Sequence, residues 1–224
     1  MKKSFHLVLC AVAFSALPLA AQDWSISAGS GPFVFGDFME RSLALGPPEG
    51  PGAVRSTVTL TAGTRAGLIA DIERSFADRW AVRLEGTFTR APLTLGDSDD
   101  GFELEAGDLD VMTFALPLVF RINPEGTFRF YLKGGPANAI YEVERSPNAA
   151  RPIFDGTRNR WGVTAGAGVG WHFSEQFVIE GQISDVVTSS PFERGDFAGG
   201  EDDESLDIPR PHNIHTSVGV RWRF

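Results

Sequence analysis

The sequence predicts an all-β fold: an eight-stranded antiparallel up-and-down β-barrel that crosses a membrane. Three observations carry this expectation. Apolar and polar residues alternate with a period of two along eight segments of the chain. Glycines stud the polar side of that alternation, and tryptophans sit near the ends of the apolar side. Successive side chains of a strand point to opposite faces, so each such segment is a strand with one apolar and one polar face.

Before the first strand comes a leader. Lys2 and Lys3 precede an apolar run from Phe5 to Leu17, followed by the small residues Ala20 and Ala21. This is the pattern of a secretory signal. Cleavage after Ala21 is expected, giving a signal peptide over residues 1–21 and a single domain over 22–224. Cys10 is the chain's only cysteine and would leave with the leader, so the mature domain has no disulfide. No later stretch reaches the roughly 18 apolar residues of a helical membrane span. The formal net charge of −9 argues against a nucleic-acid partner held by basic phosphate contacts.

The first strand is weak and runs through Trp24, Ile26 and Ala28. The second is clearest. Val58, Leu60, Ala62, Ala66, Leu68, Ala70 and Ile72 share one parity, and Thr57, Thr59, Thr61, Gly63, Arg65, Gly67 and Asp71 share the other. The third carries Trp80, Val82, Leu84 and Phe88; the fourth Met112, Phe114, Leu116, Leu118, Phe120 and Ile122; the fifth Phe128, Phe130 and Leu132. The sixth alternates Trp161, Val163, Ala165, Ala167, Val169, Trp171 and Phe173 with Gly162, Gly166, Gly168 and Gly170. Phe177, Ile179 and Ile183 mark the seventh, and Ile214, Val218, Val220, Trp222 and Phe224 the eighth.

Short connections are expected near 73–78, 123–127 and 174–176, and long ones near 36–55, 91–108, 142–158 and 187–211. Asn123-Pro124-Glu125-Gly126 is a turn by its chemistry. Short and long alternate, so the short turns gather at one end of the barrel and the long loops at the other.

A soluble lipocalin shares this periodicity with the apolar face turned inward. The glycines on the polar face suit a narrow interior that must admit large neighbours. Trp24, Trp80, Trp161, Trp171 and Trp222 suit aromatic girdles at two lipid–water boundaries. A sheet in lipid must also close, because no water satisfies an open edge. These points favour the membrane barrel.

The ending Val218-Gly219-Val220-Arg221-Trp222-Arg223-Phe224, with Tyr131-Leu132-Lys133-Gly134-Gly135-Pro136 and the glycine-rich sixth strand, resembles the small eight-stranded outer-membrane barrels of the OmpA/OmpX type. The resemblance implies export to the bacterial outer membrane. It also implies an assembly signal at Val218, Val220, Trp222 and Phe224, read by the outer-membrane assembly machinery.

Inward-facing charges are the first candidate site. Arg65, Arg83, Glu85, Arg121, Arg129, Lys133, Glu180 and Arg221 would form an ion-pair network plugging the lumen, since an eight-stranded barrel is filled by side chains and buried ions need partners. Acidic loops come next: Asp97, Asp99, Asp100, Glu103, Glu105 and Asp108, and the run Glu201-Asp202-Asp203-Glu204, are candidate sites for divalent cations. An enzyme is not expected. Ser184, His215 and Ser217 fall on the lumen face, away from any acyl chain, and His212 faces opposite to His215.

The expected role is structural or surface-interactive, with outer-membrane lipids as partners, a monomeric state and no cofactor. The alternative is a narrow porin-like or hydrophobic-compound transport barrel, and third comes a lipid-modifying enzyme.

Overall fold

The computed structural model describes residues 24–45, 54–97, 103–146, 154–197 and 206–224. The expected leader, the acids Asp99 and Asp100 and the run Glu201–Glu204 lie outside the described residues.

The strands are β1 (Trp24–Phe35), β2 (Met39–Leu45), β3 (Val54–Ala62), β4 (Arg65–Ala77), β5 (Trp80–Asp97), β6 (Glu103–Ala115), β7 (Leu118–Arg121), β8 (Phe128–Arg145), β9 (Gly156–His172), β10 (Phe177–Thr188), β11 (Leu206–Asp207) and β12 (His212–Arg223). A 3₁₀ turn spans Arg194–Asp196. Eight staves close into one antiparallel barrel: β1, β4, β5, β6 with β7, β8, β9, β10 and β12. Closure is made by β1 against β12, from Ser25↔Arg223 to Ser30↔Val218 and again from Phe33↔His215 to Phe35↔Asn213.

The alternation sorts as a membrane barrel requires. Leu68, Leu84, Leu132, Ile183 and Val220 face outward with half or more of their surface exposed, while Asp71, Arg83, Glu85, Lys133, Glu180 and Arg221 are buried inside. A lipocalin would show the reverse. Four tryptophans line the short-turn rim, where register sets Trp80 beside Phe120, Trp171 beside Phe128 and Trp222 beside Phe177, with Trp24 opposite Arg74. Trp161, 74% exposed, points outward on β9, away from that rim.

Three expectations about the strands need correction. The second stave is not one strand with one apolar face. It breaks at Gly63 and Thr64, and its faces exchange there: Leu60 and Ala62 are buried inward, whereas Leu68 points out. Pro92 on the neighbouring β5 has no N–H to continue the ladder at this level, and the amide of Gly63 donates instead to the Pro92 carbonyl at 2.9 Å. The long connection at 91–108 is largely strand, because β5 and β6 run on as a hairpin with Ala91, Leu93 and Leu109 buried inside it. The short connection at 73–78 is likewise strand as far as Ala77, with an irregularity between Ser75 and Ala77.

These extensions raise the barrel at its long-loop end and fill it with an apolar core. Phe33, Phe38, Leu60, Leu93, Leu109, Tyr141, Phe192 and Leu206 meet there. The lumen therefore has two storeys: a charged one toward the short turns and an apolar one toward the long loops.

Candidate functional site

The lower storey is built around Arg83, whose guanidinium is fully buried. Its Nε and Nη2 donate to Glu73 Oε2 at 2.9 and 2.7 Å, and its Nη1 donates to Glu180 Oε1 at 3.0 Å and Gln182 Oε1 at 3.2 Å. Arg221 donates from Nε to Glu180 Oε2 at 2.8 Å and lies 2.9 Å from Asp71. Arg121 reaches Glu73 from the fourth stave and also donates to Ser75 Oγ at 2.8 Å. Lys133 pairs with Glu85 and donates to Gln182 Oε1 at 2.9 Å. The Tyr131 hydroxyl donates to Glu180 Oε1 at 2.7 Å.

β5 and β10 are opposite staves, so the Arg83–Glu180 pair spans the bore. A buried ion loses several kcal/mol of hydration unless well-placed partners restore it. The lattice supplies such partners from both sides.

Room for it comes from the sixth stave, which offers glycine at its inward positions. A Cβ on Gly168 would lie 2.3 Å from the Tyr131 hydroxyl oxygen, and one on Gly166 would lie 3.1 Å from Lys133 Cε. The long side chains of β8 lie over bare backbone.

The structure brings together Arg83, Glu85, Arg121, Lys133, Glu180 and Arg221. Arg65 is a correction. It is exposed, and its nearest acceptor is the neighbouring Thr64 carbonyl at 3.5 Å. The Phe33 ring occupies that level, stacked on His215 at 4.9 Å and pressed against Gly67, so a guanidinium pointing inward would meet apolar surface. Arg129 lies lower, at the short-turn mouth, where its Nε donates to the Gly126 carbonyl at 3.2 Å. Glu73, Gln182 and Tyr131 are lattice members that sequence reasoning missed. Glu73 falls at the start of an expected short connection, yet its parity matches Asp71, as Gln182 matches Glu180 and Tyr131 matches Lys133.

The upper storey is closed by a strap. Pairing of β9 with β10 stops at Gly162↔Thr188, while β9 continues to Gly156 against β8 alone. The segment 189–197 fills the missing place. Arg158 Nη1 and Nη2 donate to the two Asp196 oxygens at 2.5 and 2.7 Å, and Arg160 donates to Glu193 at 2.7 Å. The Arg160 guanidinium holds the Glu193 carboxyl below its ordinary value. Phe192 and Phe197, carried by this strap, pack into the apolar core.

The sequence profile of the family described as outer membrane protein beta-barrel domain matches residues 6–224. The chain belongs to the outer-membrane β-barrel family. Among solved structures, OprG from Pseudomonas aeruginosa superposes with a TM-score of 0.61 at 15% identity, over 91% of this chain and 96% of that one. Neisserial surface protein A gives 0.50 at 9% identity, over 92% and 100%. The Escherichia coli outer membrane protein W gives 0.45 at 17% identity, again over 92% and 100%. At such identities the likeness concerns the fold. No curated protein matches the chain in sequence.

In this outer-membrane barrel Val218, Val220, Trp222 and Phe224 project outward along the last strand, with the Trp222 and Phe224 rings 5.1 Å apart. His215, Ser184 and Ser217 are buried in the lumen, and His212 sits outside beside Asp185 at 2.6 Å. Of the acidic loop residues, Asp108 is bound by Arg90 at 2.8 Å, and Arg90 also contacts Asp110 and Glu144. No group of metal-ligating side chains occurs among the described residues.

Proposed function

We propose that this outer-membrane barrel is non-conducting and that its role is structural or exercised through its long-loop end. The observation that supports this reading is the Arg83-centred lattice, which fills the bore from β5 to β10. Hydrophilic solutes would have to break several charge-assisted hydrogen bonds to pass, each stronger than a neutral one. Single-channel recording in planar bilayers tests it: the expected current is background, and steady open channels of the unaltered protein would overturn it.

The outward apolar staves fit outer-membrane lipids as partners, and a barrel closed by β1 against β12 fits a monomer. The last strand is the proposed signal for the assembly machinery, so deletion of Phe224 should lower membrane yield. Full yield with normal heat-modifiable migration would count against that. Divalent cations at the acidic loops remain a proposal of the same kind, tested by whether a chelator lowers thermal stability. The lumen position of Ser184, His215 and Ser217 favours a barrel that is not an enzyme, because a lipid ester could not reach them.

One observation favours a second reading, passage of hydrophobic compounds. The upper storey is lined by apolar side chains, and the wall there is completed by a strap rather than a strand. Binding of an apolar fluorescent dye to the folded barrel, lost on Ala139→Glu, would support it. No binding would leave the sealed reading alone.

A further inference from the structure

His215 stands where the two storeys meet. It is 1% exposed, and its ring stacks on Phe33 of the apolar core at 4.9 Å with the planes 19° apart. Toward the lattice, its Nε2 lies 3.8 Å from Glu85 Oε1, beyond hydrogen-bond reach. That nitrogen has no hydrogen-bond partner among the described residues.

The charges around the ring do not provide for another cation. Glu85 already holds Lys133 on Oε2, and Arg83 is bound to Glu73 and Glu180. From β10 the residue directly opposed to His215 is the neutral Ser184, while Asp185 points outward to His212. β1 presents Phe33. A proton on Nε2 would therefore place a second cation beside one carboxylate, against an apolar ring. A buried ion without its own counter-ion is costly, so one of the two cations must give way.

The closure seam is interrupted at the same height. β1 pairs with β12 from Ser25 to Ser30 and again from Phe33 to Phe35, but not at Gly31 and Pro32. Pro32 has no N–H for the ladder, and a Cβ on Gly31 would stand 1.9 Å from the Thr216 carbonyl oxygen. Above the break, closure rests on a short run that ends where the Gly36 amide donates to the His212 carbonyl at 2.8 Å. His215, paired with Phe33, is the first residue of β12 in that run.

We propose that His215 is an acid-responsive element of the closure seam. Uptake of a proton at Nε2 turns the imidazole off Phe33 toward Glu85, in competition with Lys133. The upper run of β1 then loosens from β12.

The test is amide hydrogen exchange of the full barrel in detergent, followed by NMR. Between neutral pH and a pH below the ordinary histidine range, protection at Phe33–Phe35 should fall by at least about tenfold relative to Ser25–Ser30 of the same strand. The loss should track the titration of the His215 imidazole in the same spectra. It should be absent from His215→Phe, which keeps a ring on Phe33 and takes up no proton. Loss that persists in this variant belongs to the carboxylates and would overturn the proposal. Protection that stays even along β1 throughout the titration would do the same. If the variant fails to fold, the unaltered barrel decides: coincidence of the His215 titration with the loss at Phe33 supports the proposal, and separation of the two refutes it.

Discussion

Gly168 on β9 and Tyr131 on β8 are fitted to each other, for a Cβ on the glycine would stand 2.3 Å from both Cζ and the hydroxyl oxygen of the tyrosine. The hydroxyl so placed donates to Glu180, and Arg83 lies over the same ring at 4.9 Å. One missing methyl group thus decides where the plug's ring can lie.

Gly168→Ala should therefore push Tyr131 off Glu180 and destabilise the barrel by about 1–3 kcal/mol, the usual cost of overpacking. Added to Tyr131→Ala, the same change should cost much less, since the space is then free. Urea unfolding of the two singles and the double gives the coupling, and additive effects would show that the two residues do not share the space.

Glu180→Gln removes the carboxylate that both Arg83 and Arg221 use. Stranding one side of a buried pair typically costs about 3–5 kcal/mol. The midpoint of heat-modifiable migration should fall accordingly while bilayer current stays at background. An open, anion-preferring channel in this variant would make the lattice a gate.

The lipid face should rank substitutions by depth. Ile183→Arg, halfway along the outward face of β10, should cost about 2–4 kcal/mol, and Phe177→Arg at the girdle end of the same strand should cost about 0–1 kcal/mol for the charge. Reversible unfolding into detergent or denaturant measures both, and the opposite ranking would place the membrane elsewhere.

The strap should answer to its ion pairs. Arg158→Ala frees Asp196, so trypsin should cut at the exposed Arg194 faster than in the unaltered barrel. Unchanged cleavage would mean that Phe192 and Phe197 hold the strap without the latch.

Glu193 gives the strap a pH dependence. Its carboxyl is held below the ordinary value by the bond from Arg160, so its contribution is present above the ordinary carboxylate range and is lost as pH falls through the lowered value. Thermal midpoints of the unaltered barrel and Glu193→Gln should differ at neutral pH and converge in acid. The difference should be small, as suits a pair exposed to solvent. A gap that widens in acid would reverse the assignment.

Much of this was legible in the chain itself. A period of two fixes which side chains share a face, so the sorting of Leu84 from Glu85 and of Ile179 from Glu180 follows from position alone. The inward glycines of the sixth stave announced that something large lay across from them. Parity would also have found Glu73, had the strand been carried to Ala77.

Other features required the closed barrel. Period-two reading assumes an unbroken strand, and it failed at Gly63, where Pro92 on a neighbouring stave interrupts the ladder and the faces exchange. The sequence by itself determined which side chains share a face along each unbroken strand and the identity of the ions, because both are local properties of the chain. Only tertiary structure decided that Arg83 meets Glu180 across the bore, that Arg65 stays outside, and that Phe192 on a strap fills the upper storey. Those outcomes depend on which staves oppose one another and at what height, and stagger between distant strands is not written in any one of them.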